Sequence, residues 1–471
     1  MRKPSVSDLQ DRVHLSNSAV LGGLFFSARM KRIFSDSALV QSWLDAEVGL
    51  ARGQADVGVI PAAAAEAIAA AAHAVDFDLD EMGREVMATA HPLVPIIREF
   101  SKAAGVGGAY VHLGATTQDI TDTGLVLQTK AGLELVDTLL RELIDLLAGL
   151  ALEHRDLAMV GRTHAQHALP ITLGLKFAVI LSECERHVER LENVRSRVLV
   201  GQLGGAVGSM AALGPDGFAV QERMNAHLGL ATPDVPWHTA RDGFAETVSI
   251  LAMVSATCGK IANEIRVLQR TEVAELEEPF TAGKVGSSTM PHKRNPMFAE
   301  FMIANAILAR EKPASMLAAM LQEHERDMSM WGVEWTVVPD SFQLSAGLLE
   351  RSAFLLRGLI VHPENIHRNL HQLGDLMLSE VAMMALARDL GKSEAHEVVY
   401  RASMKAWDSG SSLTGLLLED VAVTESSVDG DELASLMVPE KYVGASPELV
   451  DRALARTRLR KQREDAERAI D

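Results

Sequence analysis

The stretch GSSTMPHKRNP, residues 286–296, stands out in a chain that is otherwise rich in alanine and leucine. Pro291 and Pro296 each lack a backbone donor, so this stretch cannot form the interior of a helix. It is also too polar for a buried strand. The stretch therefore predicts a loop, and loops that carry chemistry are positioned by rigid elements on either side.

The residues of this loop suit an anionic substrate and a proton transfer. Lys293 can hold a carboxylate by its charge, and Asn295 can hold one by its amide donors. Ser287 and Ser288 are weak acids with no evident activator nearby in the sequence. A serine that abstracts a proton needs an oxyanion-stabilising setting made by backbone amides and a lysine. A loop that closes over the substrate and excludes water would supply that setting.

Long helical patterns fill the segments on either side of the loop. Of the 471 residues, 48% are hydrophobic but only 4% are aromatic, so the core must come mainly from strong helix formers such as alanine, leucine and methionine. The predicted long helices are 122–157, 171–200, Phe244–Glu275, 298–322 and 340–360. In the third of these, apolar residues recur at intervals of four and three, as in a coiled-coil seam: Val254, Cys258, Ile261, Ile265 and Leu268. Helices this long predict an all-α bundle, and seams this apolar predict an oligomer.

Two breaks divide the chain into three predicted domains. A glycine-rich segment begins at Gly105, and the composition changes again at Val361 with VHPENIHRNL. Within the first domain, a helix is expected with a cap at Ser35 or Asp36 and a stop at Gly58. The predicted domains are an N-terminal helical domain at 1–110, a central long-helix bundle at 111–361 and a C-terminal helical domain at 362–471.

Charge and cysteine content narrow the class of protein. The formal net charge is −18, and an acidic surface argues against nucleic acid or an anionic membrane as a partner. Cys184 and Cys258 lie in helical patterns and are too few for a disulfide framework, which fits a reducing, cytoplasmic setting. The start of the chain lacks the apolar core of a signal peptide. No uninterrupted apolar run is long enough to predict a membrane span.

Four polar islands interrupt the helical patterns, each at a helix end or in a break between helices. The first contains His91, the second is HLGATTQD at 112–119, and the third is GRTHAQHALP at 161–170. The fourth is the loop at 286–296, followed later by QEHERDMSMWGVEW at 322–335. Rigid helices can bring such ends together although they lie far apart in sequence.

Several of these residues also have a purely structural interpretation. Thr116, Thr117 and Asp119 suit the capping of a helix. His164 and His167, in HAQH, have the spacing of a metal pair, but no acidic residue or cysteine completes a zinc set there. A loop histidine whose hydrogen bonds are satisfied by the protein is the simpler interpretation of either residue taken alone.

Two further motifs carry little functional information by themselves. HRNLH, residues 367–371, places two histidines on one helix face but lacks the glutamate of HExxH, which favours a solvated face. GQLGGAVGS, residues 201–209, follows a helical pattern rather than a strand, so it does not predict a dinucleotide site. Neither motif is assigned a role from the sequence.

GSSTMPHKRNP resembles the signature loop of the fumarase/aspartase superfamily, and the resemblance covers the chain from about Phe26 to Leu454. HLGATTQDITDTG and GRTHAQHALPITLG are also similar to motifs of that family. The resemblance implies a central bundle of long helices in a three-domain fold. It also implies a homotetramer whose active sites are built from motifs of three different subunits. The implied chemistry is elimination of a group from the carbon next to a carboxylate-bearing carbon, often with release of fumarate.

Two subgroups of the superfamily are similar to this chain. PWHTARD at 236–242, QEHER at 322–326 and the ending LMVPEKYVGASPELVDRAL resemble 3-carboxy-cis,cis-muconate cycloisomerases, which form a lactone. HERD and GRTH are also similar to adenylosuccinate lyases. His164 and Ala165 replace the Trp-Leu pair typical of bacterial cycloisomerases, and His91 replaces an Asn-Ser-type stretch. Both histidines match positions that adenylosuccinate lyases use.

The expected function is therefore cycloisomerase-like, and the alternative is a C–N lyase that releases fumarate. MSMWGVEW replaces the Ser/His-rich segment expected in adenylosuccinate lyases, so a smaller substituted succinate is considered beside adenylosuccinate. An inactive structural relative, or a helical scaffold, is the alternative of another class. The intact loop at 286–296 argues against an inactive relative, and the four polar islands argue against a scaffold.

The resemblance also assigns roles to individual residues. Ser287 is expected to be the general base, and Lys293 with Asn295 to hold the carboxylate that takes up negative charge. His164 is expected to protonate or orient the leaving group, because imidazole titrates near neutrality. The expected substrate-binding residues are His91, Thr116, Thr117, Gln118 and Arg326. No cofactor and no metal are expected in this site, and the expected substrate is a small di- or tricarboxylate.

Overall fold

A computed structural model describes residues 18–280, 289–290 and 292–468 of this chain. Ser287 and Ser288 lie outside the described residues, whereas Lys293 and Asn295 from the same loop are described. The structure therefore shows the residues of the loop that are predicted to bind a carboxylate, but not the residue predicted to be the base.

The described part of the chain is all-α apart from four short strands, which confirms the predicted fold class. The N-terminal helices are α1 (Gly22–Phe25), α2 (Ala28–Ile33), α3 (Asp36–Val57), α4 (Ala62–Ala70), α5 (Leu79–Thr89) and α6 (Val94–Ala103). The side chain of Ser35 caps α3 by accepting a hydrogen bond from the backbone N–H of Ala38, and Gly58 ends the helix at a left-handed φ of 83°. Both predicted boundaries of this helix are thus confirmed.

The long helices follow in the middle of the chain. They and the shorter helices between them are α7 (Thr117–Glu153), α8 (Leu173–Val198), α9 (Gly217–Leu228), α10 (Asp242–Leu268), α11 (Met297–Arg310), α12 (Lys312–Ala319) and α13 (Met328–Arg357). The prediction of one helix at 298–322 is wrong, because the chain forms α11 and α12, with Pro313 in the first turn of α12. A proline is favourable at that position, where its missing donor is not needed.

Helix α13 begins twelve residues earlier than predicted and contains Pro339 in its interior. A proline there removes one backbone hydrogen bond. The neighbouring side chains Val338 and Phe342 are fully buried, so tertiary packing outweighs the local cost. As a result the segment MSMWGVEW, predicted as part of a polar island, is helical.

Two glycines let α3 and α9 pack closely. A Cβ atom on Gly53 would lie 2.7 Å from the backbone nitrogen of Met224, and one on Gly49 would lie 2.7 Å from Cγ of Leu228. Real side chains do not approach so closely, so glycine is required at these two positions. The contact fixes the N-terminal helices against α9, near the glycine-rich segment at 201–209.

Helix α10 confirms the predicted apolar seam, since all five of its residues are buried: Val254, Cys258, Ile261, Ile265 and Leu268. Burial raises the pKa of the Cys258 thiol to about 12, and Cys184 is likewise a buried free thiol. Among the described helices, α10 is the one long and apolar enough to cross a membrane by length and composition, and 67% of its most apolar window is buried inside the protein.

Two antiparallel strand pairs complete the middle of the chain: β1 (Ala158–Thr163) with β2 (Gln166–Thr172), and β3 (Leu276–Glu277) with β4 (Ile360–Val361). The third polar island is therefore a β-hairpin rather than an irregular break. Thr163 pairs with Gln166, which leaves His164 and Ala165 as a two-residue turn. Their φ angles are 51° and 60°, as a tight hairpin turn of this length requires.

The C-terminal part is a cluster of short helices followed by one long helix: α14 (Pro363–Leu370), α15 (Ser379–Leu390), α16 (Lys392–Ser409), α17 (Leu413–Leu418), α18 (Val421–Thr424), α19 (Gly430–Leu436) and α20 (Ser446–Arg468). Single turns of 3₁₀ helix occur at Ala74–Asp76, Gly105–Tyr110, Gly214–Asp216, Gly374–Leu378 and Pro439–Lys441. Leu378, Leu386, Ala395 and Leu413 are among the residues of the C-terminal core.

The chain divides into two compact units. The described residues of the first unit lie within Met1–Glu142, Arg186–Lys260 and Phe301–Ser352. Those of the second unit lie within Leu143–Glu185, Ile261–Glu300 and Ala353–Asp471. The three sequence domains with boundaries at 110/111 and 361/362 remain a prediction.

Candidate active site

In the first unit, the buried carboxylate of Asp119 at the start of α7 joins three segments of the chain. Its oxygens accept hydrogen bonds from the backbone N–H groups of Thr116, Gly204 and Gly205, each at 2.9 Å. The Nε2 atom of His238 lies 2.7 Å from Oδ1. Four donors fill the accepting capacity of one carboxylate. Asp119 therefore caps the helix, as its sequence context suggests, and also holds the glycine-rich segment and the loop before α10.

The glycine-rich segment at 201–209 has a structural reason for its composition. A Cβ atom on Gly204 would lie 2.8 Å from Cβ of Pro236 and 2.9 Å from Cε1 of His238. Gly205 adopts a φ of 70°, in the left-handed region that favours glycine. These glycines bring two backbone donors onto Asp119, which explains the motif without a dinucleotide.

Gln118 and Arg326, both predicted to bind substrate, are joined in the first unit. The buried amide of Gln118 donates from Nε2 to the carbonyl of His238 at 2.8 Å, and its Oε1 accepts from Nε of Arg326 at 3.1 Å. Arg326 also donates to the carbonyl of Ala206 at 2.9 Å. Because both amide atoms of Gln118 are engaged, its role in this arrangement is to orient the half-buried guanidinium of Arg326.

The other candidates of the first unit are less constrained. Thr116 and Thr117 are half-buried, and neither hydroxyl makes a hydrogen bond within the described part of the chain. His91 is half-buried and follows Ala90, which ends α5 with a φ of 54°. Its Nδ1 atom is buried without a hydrogen-bond partner among the described residues. A buried polar atom of this kind is costly unless something else satisfies it, which is compatible with the predicted binding role.

A buried ion cluster lies three residues beyond Asp119. The guanidinium of Arg241 donates two hydrogen bonds to Asp122, at 2.8 and 2.9 Å, and two to Glu334, one of them at 2.7 Å. All three side chains are almost completely buried. Arg241 also lies over Trp237 and Phe244, with Cζ 5.0 and 5.3 Å from the ring centroids. The cluster ties α7, the start of α10 and α13 together.

The pKa values of this cluster reflect burial and charge together. Burial by itself lowers the pKa of Arg241, but the charge of Asp122 and the hydrogen bonds that Arg241 donates to Glu334 outweigh it and raise the pKa. Burial raises the pKa of Glu334, and its pairing with Arg241 offsets this only in part. Arg241 thus supplies the positive charge that stabilises both buried carboxylates, so its removal should destabilise the cluster.

His112, in the second polar island, is anchored by Glu47 of α3. Its backbone N–H donates to Oε2 of Glu47 at 2.9 Å, and its Nδ1 lies 2.6 Å from Oε1. Burial lowers the pKa of His112, but the hydrogen bond and charge of Glu47 outweigh it and raise the pKa. His112 has a φ of 63°, so this pair also holds a strained backbone. The contact positions the segment that leads to Thr116 and Thr117.

In the second unit, His164 occupies the exposed tip of the β1–β2 hairpin. Its left-handed backbone, and that of Ala165, costs on the order of 1 kcal/mol per residue relative to glycine or asparagine. Within the described part of the chain the His164 side chain makes no hydrogen bond or ion pair. The two-residue turn accounts for this backbone, and it leaves the exposed imidazole open to groups outside its own hairpin.

Lys293 and Asn295 line a common cavity of about 710 Å³ in the second unit. Four basic and two acidic side chains line it, namely Arg266, Arg270, Lys293, Arg294, Glu277 and Glu300. The buried Nε atom of Arg266 has no hydrogen-bond partner among the described residues. The excess of basic groups and this open donor suit a substrate with more than one negative charge.

The walls of this cavity are held by ion pairs. Glu277 accepts from Arg294 at 3.0 Å and lies 3.2 Å from Nε2 of His362.

Arg162 of β1 makes a bidentate pair with the fully buried Glu275, at 2.6 and 2.9 Å. Burial and the nearby charge of Arg162 lower the pKa of His167. The hairpin strand that leads to His164 is thus rigidly fixed at its base.

The structure groups four of the predicted residues in two pairs, whereas the other candidates that it describes, namely His91, Thr116, Thr117 and His164, join neither pair. Gln118 and Arg326 share one network, and Lys293 and Asn295 share one cavity. Sequence reasoning missed Asp119 as a structural centre, although the TTQD motif marked it as a cap, and it missed the buried cluster of Arg241, whose partners lie far apart in sequence.

Comparison with known proteins finds relatives that match nearly the whole chain. A family model described as lyase matches residues 27–309, and one described as adenylosuccinate lyase C-terminus matches residues 375–453. A 3-carboxy-cis,cis-muconate cycloisomerase from Pseudomonas aeruginosa is 40% identical over 435 residues, covering 92% of this chain and 95% of that protein. An N-acetyl-S-(2-succino)cysteine lyase from Dickeya dadantii is 37% identical over 441 residues, covering 94% and 97%.

A solved structure agrees with these relatives. The 3-carboxy-cis,cis-muconate lactonizing enzyme from Pseudomonas putida has a TM-score of 0.86 and 37% sequence identity, covering 94% of this chain and 99% of that one. Similarity therefore extends over nearly the whole length, in sequence and in fold.

Proposed function

We propose that this chain, which belongs to the fumarase/aspartase superfamily of lyases and cycloisomerases, eliminates a leaving group from a small substituted succinate and releases fumarate. Its relatives include enzymes named as cycloisomerases or lactonizing enzymes of 3-carboxy-cis,cis-muconate and enzymes whose names specify a succinylated cysteine. The proposal concerns which of these chemistries this site favours.

The observation that carries the proposal is His164 at the exposed tip of its hairpin. An amine or thiol that leaves a succinate must take up a proton, and imidazole is suited to give one near neutral pH. Lactone formation moves a carboxylate onto an alkene and has no departing group to protonate. A histidine side chain presented at this exposed tip therefore supports elimination.

The elimination needs one base, one acid and two anion-binding sets. The proposed base, Ser287, takes a proton from the carbon next to a carboxylate, and the electron pair forms the new double bond. The bond to the leaving group breaks with its pair, and the leaving group takes a proton from His164. Lys293 and Asn295 hold the carboxylate on which negative charge develops. Thr116, Thr117 and Arg326 are the proposed donors to the second carboxylate, with His91 as a further binding residue.

The cycloisomerase reaction remains the second candidate, because the Pseudomonas aeruginosa relative is 40% identical to this chain. The motif PWHTARD, however, contributes His238 to Asp119 and Arg241 to the buried cluster. The similarity of this motif to cycloisomerases therefore involves residues that hold the surrounding helices and loops together. It does not distinguish between the two substrates.

A substrate panel tests the proposed function. The purified protein is given 3-carboxy-cis,cis-muconate, adenylosuccinate, N-acetyl-S-(2-succino)cysteine and aminated succinates at equal concentration. Fumarate is followed by the ultraviolet absorbance of its conjugated double bond, and lactone by chromatography. We expect fumarate from one of the smaller succinates. Turnover of the muconate alone, or of adenylosuccinate alone, contradicts the proposal.

We further infer that the protein is a homotetramer whose active sites combine residues of several subunits. We also infer a reducing, cytoplasmic setting, which fits the two buried free thiols. The exposed side chain of His164, which has no hydrogen-bond partner among the described residues, supports a role in a site that its own hairpin does not complete. Sedimentation or light scattering measures the assembly.

Subunit mixing tests the sharing of sites. If His164 and Lys293 of one site come from different subunits, inactive His164→Ala and Lys293→Ala proteins co-assembled in equal amounts should regain activity in about a quarter of their sites. The matched control mixes Lys293→Ala with Asn295→Ala, which lie in one loop and should not complement. Verified mixed tetramers without recovery would place His164 and Lys293 of a site in one chain.

A further inference from the structure

Three side chains that are not among the candidate active-site residues converge on the surface of the second unit. They are His367 of α14, His371 at the C-terminal cap of that helix, and Glu440 of the 3₁₀ helix Pro439–Lys441. Their ligating atoms all lie within 4.8 Å of one another, and all three residues are exposed. We propose that these three residues form a binding site for a divalent transition metal ion such as Zn²⁺.

The geometry of the three atoms suits one shared ion. Nε2 of His371 lies 2.7 Å from Oε1 of Glu440, and Nε2 of His367 lies 3.6 Å from the same oxygen. Ligand bonds of about 2.0–2.1 Å in a tetrahedral zinc site place ligand atoms about 3.3 Å apart. The observed distances lie on either side of that value, so small side-chain rotations complete the site. Water would supply the fourth ligand.

The arrangement of the two histidines favours a metal over separate ion pairs. Four residues apart, they stack with ring centroids 4.4 Å from each other. Both rings turn toward one carboxylate oxygen, and two protonated rings this close would repel each other. A metal ion instead takes a neutral nitrogen from each ring and the carboxylate oxygen, a ligand set typical of zinc. Because the group is exposed, an ion reaches it without a conformational change.

The third ligand could not be recognised in the sequence. HRNLH lacks the glutamate of HExxH, and its pattern by itself favours a solvated face. Glu440 lies 69 residues beyond His371 and reaches the histidines because the Pro439–Lys441 turn packs beside α14. The tertiary structure thus completes a ligand set that the local pattern leaves open.

The elements joined by the ion indicate its effect. Both α14 and the Pro439–Lys441 turn pack against β1, and Asn369 of α14 donates to the same buried Glu275 that binds Arg162 of β1, at 2.9 Å. A metal bridging α14 and the turn would clamp two elements that support this strand. We therefore assign the site a stabilising role rather than a catalytic one.

The test uses the full-length protein, stripped with chelator and with any affinity tag removed. Zn²⁺ and Co²⁺ are titrated by calorimetry, and the visible absorption of bound Co²⁺ reports nitrogen coordination. We expect one site per chain and a rise in the thermal midpoint on addition of Zn²⁺. Loss of a residue that only hydrogen-bonds a metal ligand weakens metal binding by about 10–100-fold, so loss of a ligand itself in His371→Ala or Glu440→Gln should weaken binding by at least about 10-fold.

His396→Ala is the matched control, because His396 is an exposed histidine of the neighbouring α16 that stacks on Tyr400. It should bind both metals as the wild type does. The substituted residues are exposed, and circular dichroism verifies that each variant is folded. Equal affinity in the wild type, His371→Ala and Glu440→Gln overturns the proposal, as does the absence of Zn²⁺ binding by the wild type.

Discussion

Replacement of Ser287 by alanine is expected to lower turnover of the succinate substrate by at least about 10²-fold, the scale of a lost acid–base group. The physical reason is that proton removal next to a carboxylate has no other proposed acceptor in the loop at 286–296. In the proposed mechanism Lys293 and Asn295 bind the carboxylate but do not take the proton. The binding of substrate should therefore change much less than kcat.

Ser288→Ala is the matched control, since it removes a hydroxyl from the adjacent position of the same loop. It should retain most of the activity and leave the helical circular dichroism unchanged. A loss of turnover in Ser288→Ala with near-normal turnover in Ser287→Ala would transfer the role of base to Ser288. Near-normal turnover in both variants would remove the loop serines from the mechanism.

Arg241→Met is expected to lower the free energy of unfolding of the first unit by about 3–5 kcal/mol, as is usual when one partner of a buried ion pair is removed. The substitution leaves Asp122 and Glu334 buried, without their cation and close to each other. It also removes a guanidinium that packs on Trp237 and Phe244. Urea unfolding followed by tryptophan fluorescence measures the change.

Arg197→Met is the control for this prediction, because Arg197 makes a bidentate ion pair with Glu246 of α10 at the surface. Exposed pairs contribute about 0–1 kcal/mol, so this variant should unfold nearly as the wild type does. Adding Asp122→Asn and Glu334→Gln to Arg241→Met removes the uncompensated charges and should recover part of the loss. A stability of Arg241→Met equal to that of the control would contradict the proposed role of the cluster.

Much of the fold followed from local patterns. The seam of α10 and the boundaries of α3 at Ser35 and Gly58 were predicted correctly, because both depend on residues within a few positions of one another. Helix periodicity and capping are set by backbone geometry that repeats every 3.6 residues. Where a local pattern was misleading, as at Pro339 in α13, burial of neighbouring side chains outweighed the propensity of the proline.

The residues proposed for chemistry could be named from the sequence because the resemblance extends over their motifs. The contacts that surround these residues could not be predicted from the sequence. The sequence marked His164 as a loop histidine, and only the structure shows it at the tip of a hairpin with a left-handed backbone. It marked Gln118 as a substrate ligand, and only the structure shows that both of its amide atoms are engaged, one of them by Arg326.

By itself the amino-acid sequence determined the all-α class and most of the long helices, since each of these is specified by neighbouring residues. Only the tertiary structure decided that Asp119 receives donors from Gly204, Gly205 and His238, and that Glu440 meets two histidines 69 or more residues away. The physical reason is that a hydrogen bond or a metal ligand set depends on where rigid elements end in space. That placement results from the packing of the whole core, which no short stretch of sequence contains.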